Sequence, residues 1–241
     1  MENIMTKLIS AASHAASKAL ALSGHSIKRS RVSEILSAML GYQTYAALTA
    51  EENDASLDYS LDDAERLVLN PDAGKVRAQG LGVAPISGVV QACALALQTV
   101  APMPVHEDID QFYDEYAREA LADAIGSSDD VSSAMAETNA YFEGEPDMPE
   151  EMPSADDLWK SRVEWNLVAR GKFKGDHDFD SDRMFSGDTL SCEATLMFVK
   201  AGRAGLILVE ADAGAGVDDS WRDHDRADEA AYMDSLRQPN P

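Results

Sequence analysis

The spacing of the hydrophobic residues changes once along the chain, and this change limits the possible folds more than any other feature. Before residue 143 the apolar residues recur three or four positions apart, as Ile109, Phe112, Tyr113 and Tyr116 do, which is the period of an amphipathic helix. After residue 157 they alternate with polar residues, which is the period of a half-buried strand. The alternating series are Val163, Trp165, Leu167 and Ala169, and then Leu190, Cys192, Ala194, Leu196 and Phe198.

These two periods predict an α+β protein. An all-helical N-terminal half is followed by a small antiparallel β-sheet domain with a C-terminal helix. Four parts are predicted: a helix-turn-helix-like module at 1–50, a helical region at 61–142, a linker at 143–157, and the sheet domain with its helix at 158–241. The linker, "EGEPDMPEEMPSADD", has three prolines and many acids, so we expect an extended segment that proteases can reach.

The N-terminal module carries the only recognisable motif, "SIKRSRVSEILSAMLGYQTYAALTA", at 26–50. This stretch resembles a short helical module found at the N-termini of uncharacterised bacterial proteins, many of them on plasmids and other mobile elements, and sometimes attached to glyoxalase-superfamily sequences. The residues that match are Ser30, Glu34, Leu36, Leu40, Gly41, Tyr42, Tyr45, Leu48 and Ala50. The resemblance implies a bacterial interaction protein. No set of metal-binding His and Glu residues accompanies it, so glyoxalase activity is not implied.

Charge is distributed unevenly between this module and the rest of the chain. The whole chain carries −23, while residues 1–50 hold five Lys and Arg against two Glu, a net +3, which leaves −26 on residues 51–241. Such an acidic body repels DNA and anionic membranes and attracts basic partners. We therefore predict a basic protein partner.

Nucleic-acid binding through the module is the alternative, because two short helices joined by a Gly-containing turn are typical of a helix-turn-helix. The candidate contacts are Lys28, Arg29, Arg31, Gln43 and Thr44. A further alternative is an acidic decoy that imitates nucleic acid and binds a protein that handles nucleic acids.

Two acidic segments are candidate sites. Asp176, Asp178, Asp180 and Asp182 have the two-residue spacing of calcium loops, but neither EF-hand register supplies the required Gly and bidentate Glu. We therefore predict a solvated acidic turn there, with these four residues as the metal candidate. Near the C-terminus, "DDSWRDHDRADE" surrounds Trp221 with Asp218, Asp219, Asp223 and Asp225, which is the pattern of an aromatic anchor with a charged rim. This segment is the predicted partner-binding site.

Other classes of function lack their motifs. There is no HExxH, CxxC or GxSxG motif and no complete glycine-rich phosphate loop. We therefore expect no cofactor and no catalysis, although a hydrolase or metal enzyme stays open if polar residues converge in a pocket. The two widely spaced cysteines favour a reducing cytoplasm, the N-terminus predicts an amphipathic helix and not a signal peptide, and no apolar run is long enough to span a bilayer.

Overall fold

The structure, a computed structural model, describes residues 4–153, 157–177 and 188–218. Its α-helices are α1 (Ile4–Leu22), α2 (Arg29–Met39), α3 (Tyr45–Glu52), α4 (Pro71–Gly80), α5 (Ile86–Val100), α6 (Ile109–Phe112), α7 (Arg118–Ser127) and α8 (Asp129–Ala136). A 3-10 turn covers Leu61–Asp63, and a π-helical segment, Tyr113–Ala117, joins α6 to α7. The strands are β1 (Arg66–Val68), β2 (Val105–His106), β3 (Ala140–Tyr141), β4 (Glu164–Lys174), β5 (Asp176–His177), β6 (Thr189–Ala201) and β7 (Gly205–Val217).

The predicted fold class is confirmed: helices come first, and a mostly antiparallel sheet follows. Five strands pair in the order β2-β1-β7-β6-β4, and β3 pairs with β5 in a separate two-stranded sheet. The two edge strands β1 and β2 were not predicted, because each is too short to show a period. They lie parallel, with Leu67 opposite Val105, and β1 pairs antiparallel with β7. The predicted C-terminal helix lies outside the described residues.

The chain divides into two compact units. Unit 1 contains Met1–Glu119, Glu150–Leu167 and Leu196–Ala211, and unit 2 contains Ala120–Pro149, Val168–Thr195 and Asp212–Pro241. Each unit takes residues from both sides of the predicted linker. Within unit 2, the linker residue Asp147 forms an isolated antiparallel bridge with Lys172. The four predicted parts of the chain stay a prediction.

The helical core of unit 1 forms around α1, which packs against α5 and α2, while α4 packs against α2 and α5. Residues four apart on α1, namely Leu8, Ala12, Ala16 and Leu20, are all buried. The small side chains of Ala12 and Ala16 let neighbouring helices approach closely. At Gly74 of α4, an added Cβ would lie 2.5 Å from Cγ of Met39, so this contact between α4 and α2 requires glycine.

The long strands follow the predicted alternation. Every second residue of β4 from Trp165 is buried, and on β6 the buried series runs in phase from Leu190. Val163 was predicted to point inward, and this is wrong: it lies just before β4, and 67% of the residue is exposed. Within the described ranges, no helix combines the length and apolar character needed to cross a bilayer.

Candidate functional site

Most of the predicted C-terminal site cannot be placed. Trp221, Asp219, Asp223 and Asp225 lie outside the described residues. Asp218 lies within them; its backbone N–H donates to the carbonyl of Thr189 at 2.7 Å, and its carboxylate is 3.4 Å from the ammonium of Lys172. One side chain of the predicted acidic rim is therefore already close to a cation within unit 2.

The acidic turn is also largely outside the described residues. Asp176 begins β5, while Asp178, Asp180 and Asp182 fall in the undescribed stretch. Among the residues that the structure does describe, no group of three or more His, Cys, Asp or Glu side chains is arranged to hold a metal ion.

The candidate nucleic-acid contacts differ in their availability. The Arg29 guanidinium donates to the carbonyl oxygen of Ser10 at 2.8 Å and also to its hydroxyl, and the Thr44 hydroxyl caps α3 by accepting from the N–H of Ala47 at 3.0 Å. The remaining three, Lys28, Arg31 and Gln43, are exposed.

An ionic cluster in unit 1 links α3 to the turn between β6 and β7. Glu51, whose side chain is only 7% exposed, accepts from the Arg203 guanidinium at 3.0 and 3.2 Å. Arg162 Nε lies 3.2 Å from the same carboxylate, and its Nη2 donates to Asp54 at 2.9 Å. The Tyr42 hydroxyl accepts from the backbone N–H of Arg203 at 3.2 Å. Burial, and then the charge of Glu51, raise the pKa of Tyr42 above its usual value.

Glu52 lies beside this cluster in an unfavourable position for a carboxylate. Among the described residues, its two oxygens share a single donor, the N–H of Leu61, at 3.4 Å. Burial is the main reason that the pKa of Glu52 rises to about 7, and repulsion by Asp62, Glu51 and Asp63 adds to the shift. Gly202, in the turn between β6 and β7, lies close to Glu52. Its φ is +64°, and an added Cβ would lie 3.2 Å from Glu52 Oε1.

A cavity of about 440 Å³ in unit 1 is lined by acids. Its lining residues are Asp110, Tyr113, Asp114, Glu150, Glu151 and Met152. The four carboxylates come from two separate segments and are all exposed, while Tyr113 is buried. The Arg118 guanidinium approaches Asp114 only to 3.8 Å. None of these lining residues, all from the described part of the chain, is a Lys or Arg, so they place negative charge around an aromatic ring and a thioether.

The sheet of unit 1 carries an aromatic cluster and two buried basic side chains, one of which, His106, contacts the cluster. Phe112 contacts Phe198 with ring centroids 6.0 Å apart, and Trp165 stacks on Phe198 at 5.6 Å. His106 of β2 meets the edge of Phe112 at 5.4 Å. Lys200 of β6 is two residues beyond Phe198 and is only 2% exposed. The burial of Lys200 was not predicted from the sequence. The predicted inward-facing series ended at Phe198, and Lys200 is the next residue in phase with it.

The described thiols are not activated nucleophiles. Cys93 and Cys192 are both buried and free. Burial raises the pKa of Cys93 to about 12 and also raises that of Cys192, so both thiols stay protonated at neutral pH.

Comparison with protein-family models, curated proteins and solved structures gives no match.

Proposed function

We propose that this protein is a non-enzymatic, cytoplasmic bacterial interaction protein whose acidic surface binds a basic partner. The proposal is supported most directly by the acidic cavity around Tyr113, which presents four exposed carboxylates and has no cationic residue among its described lining residues. A Lys or Arg side chain of a partner can place its charge among these carboxylates and its methylene groups against Met152, which is partly exposed. The bacterial origin and the mobile element rest on the resemblance of residues 26–50.

The proposal makes the cavity, and not only total charge, responsible for binding. The probe is a short fluorescent oligoarginine peptide, and its affinity is measured by anisotropy. The test variant carries Asp110→Asn, Asp114→Asn, Glu150→Gln and Glu151→Gln. The control removes the same number of charges from exposed acids outside the cavity, through Glu119→Gln, Glu137→Gln, Glu143→Gln and Glu145→Gln.

We expect the cavity variant to bind about tenfold more weakly than the control, because four exposed charge contacts each contribute a few tenths of a kcal/mol. Binding should weaken further above about 0.15 M salt, where the Debye length is roughly 8 Å. If both variants bind equally, the cavity is not the binding site and the peptide responds only to net charge.

The predicted site around Trp221 is tested in the same assay. Trp221→Ala, combined with neutralisation of Asp218, Asp219, Asp223 and Asp225, should weaken binding if this segment is a second contact for the partner. Binding that is unchanged by these substitutions would remove the C-terminal segment from the proposal.

The two alternatives predict different ligands. A helix-turn-helix regulator would bind duplex DNA, and its affinity would fall steeply with salt through exposed Lys28 and Arg31. The decoy draws support from the net charge of −23, and it would compete with nucleic acid for a nucleic-acid-binding protein. Measuring duplex binding for the wild type and for a Lys28→Gln/Arg31→Gln variant separates the regulator from the other two functions.

A further inference from the structure

Lys200 is the least expected side chain in unit 1. Its Nζ is inaccessible to solvent and has no hydrogen-bond partner among the described residues. Since buried positions alternate along β6, Lys200 lies on the same sheet face as Leu196 and Phe198. Burial lowers the pKa of Lys200 to about 7, so near neutral pH the amine changes between its neutral and charged forms.

His106 adds a second base to this face. Its Nδ1 is 3.3 Å from a Glu115 oxygen, but the alignment is not that of a hydrogen bond, and neither ring nitrogen has a hydrogen-bond partner in the described part of the chain. Burial, assisted by Arg66, lowers the pKa of His106, while Glu115 opposes this shift. Burial therefore favours the neutral forms of both Lys200 and His106.

The segment Ile109–Ala117 lies over this face through Phe112, which contacts His106, Trp165 and Phe198. More than half of the segment is π-helical, a geometry that is rare and concentrated at functional positions. Tyr116 in the same segment lies under the Arg66 guanidinium, 3.4 Å from its ring centroid. The titratable or charged groups of β1, β2 and Ile109–Ala117 are Arg66, His106, Asp110, Tyr113, Asp114, Glu115 and Tyr116. Cys192 lies with Lys200 in the buried series of β6, the buried series of β4 has no titratable residue, and β7 carries Glu210 and Asp212.

Protonation of Lys200 places a positive charge in this buried layer. An ammonium without hydrogen bonds in an apolar layer is strongly unfavourable, and it is stabilised only if water or a carboxylate reaches it. Phe112 packs on Phe198, which is two residues before Lys200 in the buried series of β6. Movement of Ile109–Ala117 away from the sheet would therefore let water reach this face. The carboxylates of Asp110, Asp114 and Glu115 are carried by this same segment.

We propose that Ile109–Ala117 is a proton-controlled cover, which is closed over the sheet face when the Lys200 amine is neutral and opens when that amine takes up a proton. His106 acts in the same direction at lower pH. The cover also carries three lining residues of the acidic cavity, Asp110, Tyr113 and Asp114. Opening would therefore alter partner binding, a consequence that rests on the proposed function, whereas the cover itself does not.

Hydrogen exchange read by mass spectrometry tests the cover without any partner. Protection factors, which correct for the intrinsic pH dependence of exchange, are measured for 109–117 and for α1 at pH 6 and pH 9. We expect the wild type to lose at least about tenfold in protection of 109–117 at pH 6, because between pH 9 and about pH 7 an exposed amine binds a proton that the buried amine does not. Protection of α1 should change much less.

The variants identify the responsible proton. Lys200→Met should keep 109–117 protected at both pH values, and Lys200→Arg, which stays charged, should leave it open at both. The control Lys75→Met makes the same chemical change at an exposed residue of α4 and should behave as the wild type. Equal loss in Lys200→Met and the wild type, or equal loss in α1 and 109–117, would overturn the proposal, whatever the peptide-binding assay shows.

Discussion

At the scale of single residues, unit 1 contains ionisable groups whose burial opposes their charge. Lys200 is a lysine in an apolar layer, and Glu52 is a carboxylate with one long hydrogen bond. Each group makes the free energy of unfolding depend on pH in a calculable direction, because its pKa differs between the folded and unfolded chains.

Replacement of Lys200 by methionine should stabilise the protein at neutral pH. The folded pKa is about 7 against 10.5 in the unfolded chain, so between these values the unfolded chain binds a proton that the folded chain does not. Stability therefore rises with pH from about 7 to 10.5, and below pH 7 the full penalty applies. Lys200→Met should raise the free energy of unfolding at pH 7 by up to about 5 kcal/mol, which corresponds to the pKa difference. Urea unfolding at pH 7 and pH 10.5 checks this: a gain of equal size at both values would contradict it.

Glu52 should show the opposite dependence on pH. Its pKa rises from 4.5 to about 7 on folding, so the folded chain holds a proton between these values that the unfolded chain has lost. Stability from this group is present below pH 4.5 and is lost as the pH rises through 7. Glu52→Gln should stabilise by about 1–3 kcal/mol at pH 8 and have little effect at pH 4, in the same urea assay. Asp58→Asn serves as the control, because Asp58 is an exposed residue in the segment that follows α3. This substitution should change stability much less.

At the scale of secondary-structure elements, the ionic cluster of Glu51, Arg162 and Arg203 joins α3 to two segments far along the chain. The pairs are short, and Glu51 is almost completely enclosed. Such a cluster fixes which surfaces of the elements meet, because a charge left without its partner in this position is strongly unfavourable.

Glu51→Gln should therefore destabilise the protein by about 3 kcal/mol or more, since it leaves Arg203 and part of Arg162 without their anion. The matched control is Arg170→Gln, which breaks the 2.7 Å pair with Glu193, an exposed pair whose side chains are 84% and 51% accessible. That loss should be below about 1 kcal/mol. Equal destabilisation, measured by urea unfolding, would show that burial of Glu51 contributes nothing.

At the scale of the whole molecule, the acidic segment 143–157 is the place where protease access is expected. Glu143, Gly144 and Glu145 are exposed, whereas Met148 is buried and Asp147 is bridged to Lys172. The exposed residues should be cut before the bridged ones.

Limited digestion with a Glu-specific protease should thus cut first at Glu143 or Glu145. The two fragments should elute together under native conditions, because unit 1 and unit 2 each contain residues from both fragments. Mass spectrometry identifies the cut, and size-exclusion chromatography reports the association. Fragments that separate would support two independently folding halves, as the linker composition predicts.

Local periodicity is what the sequence by itself determined. Apolar residues three or four positions apart around Phe112 are buried on one side only if the backbone is helical. The alternation through Trp165 and Leu190 buries one side only if the backbone is extended. The helices, the long strands and the mixed fold class therefore followed from residues that are close together in the chain.

Only the tertiary structure decided the pairing of β1 with β2 and β7, the cluster that joins Glu51 to Arg203, and the enclosure of Lys200. Strands of two or three residues have no measurable period, and Glu51 and Arg203 are separated by 152 positions, so neither relation leaves a local pattern. Lys200 was in phase with buried residues, but a lysine at the end of a strand usually reaches solvent along its flexible chain. Whether it can do so depends on which residues other segments bring over it, and that is a property of the packed fold.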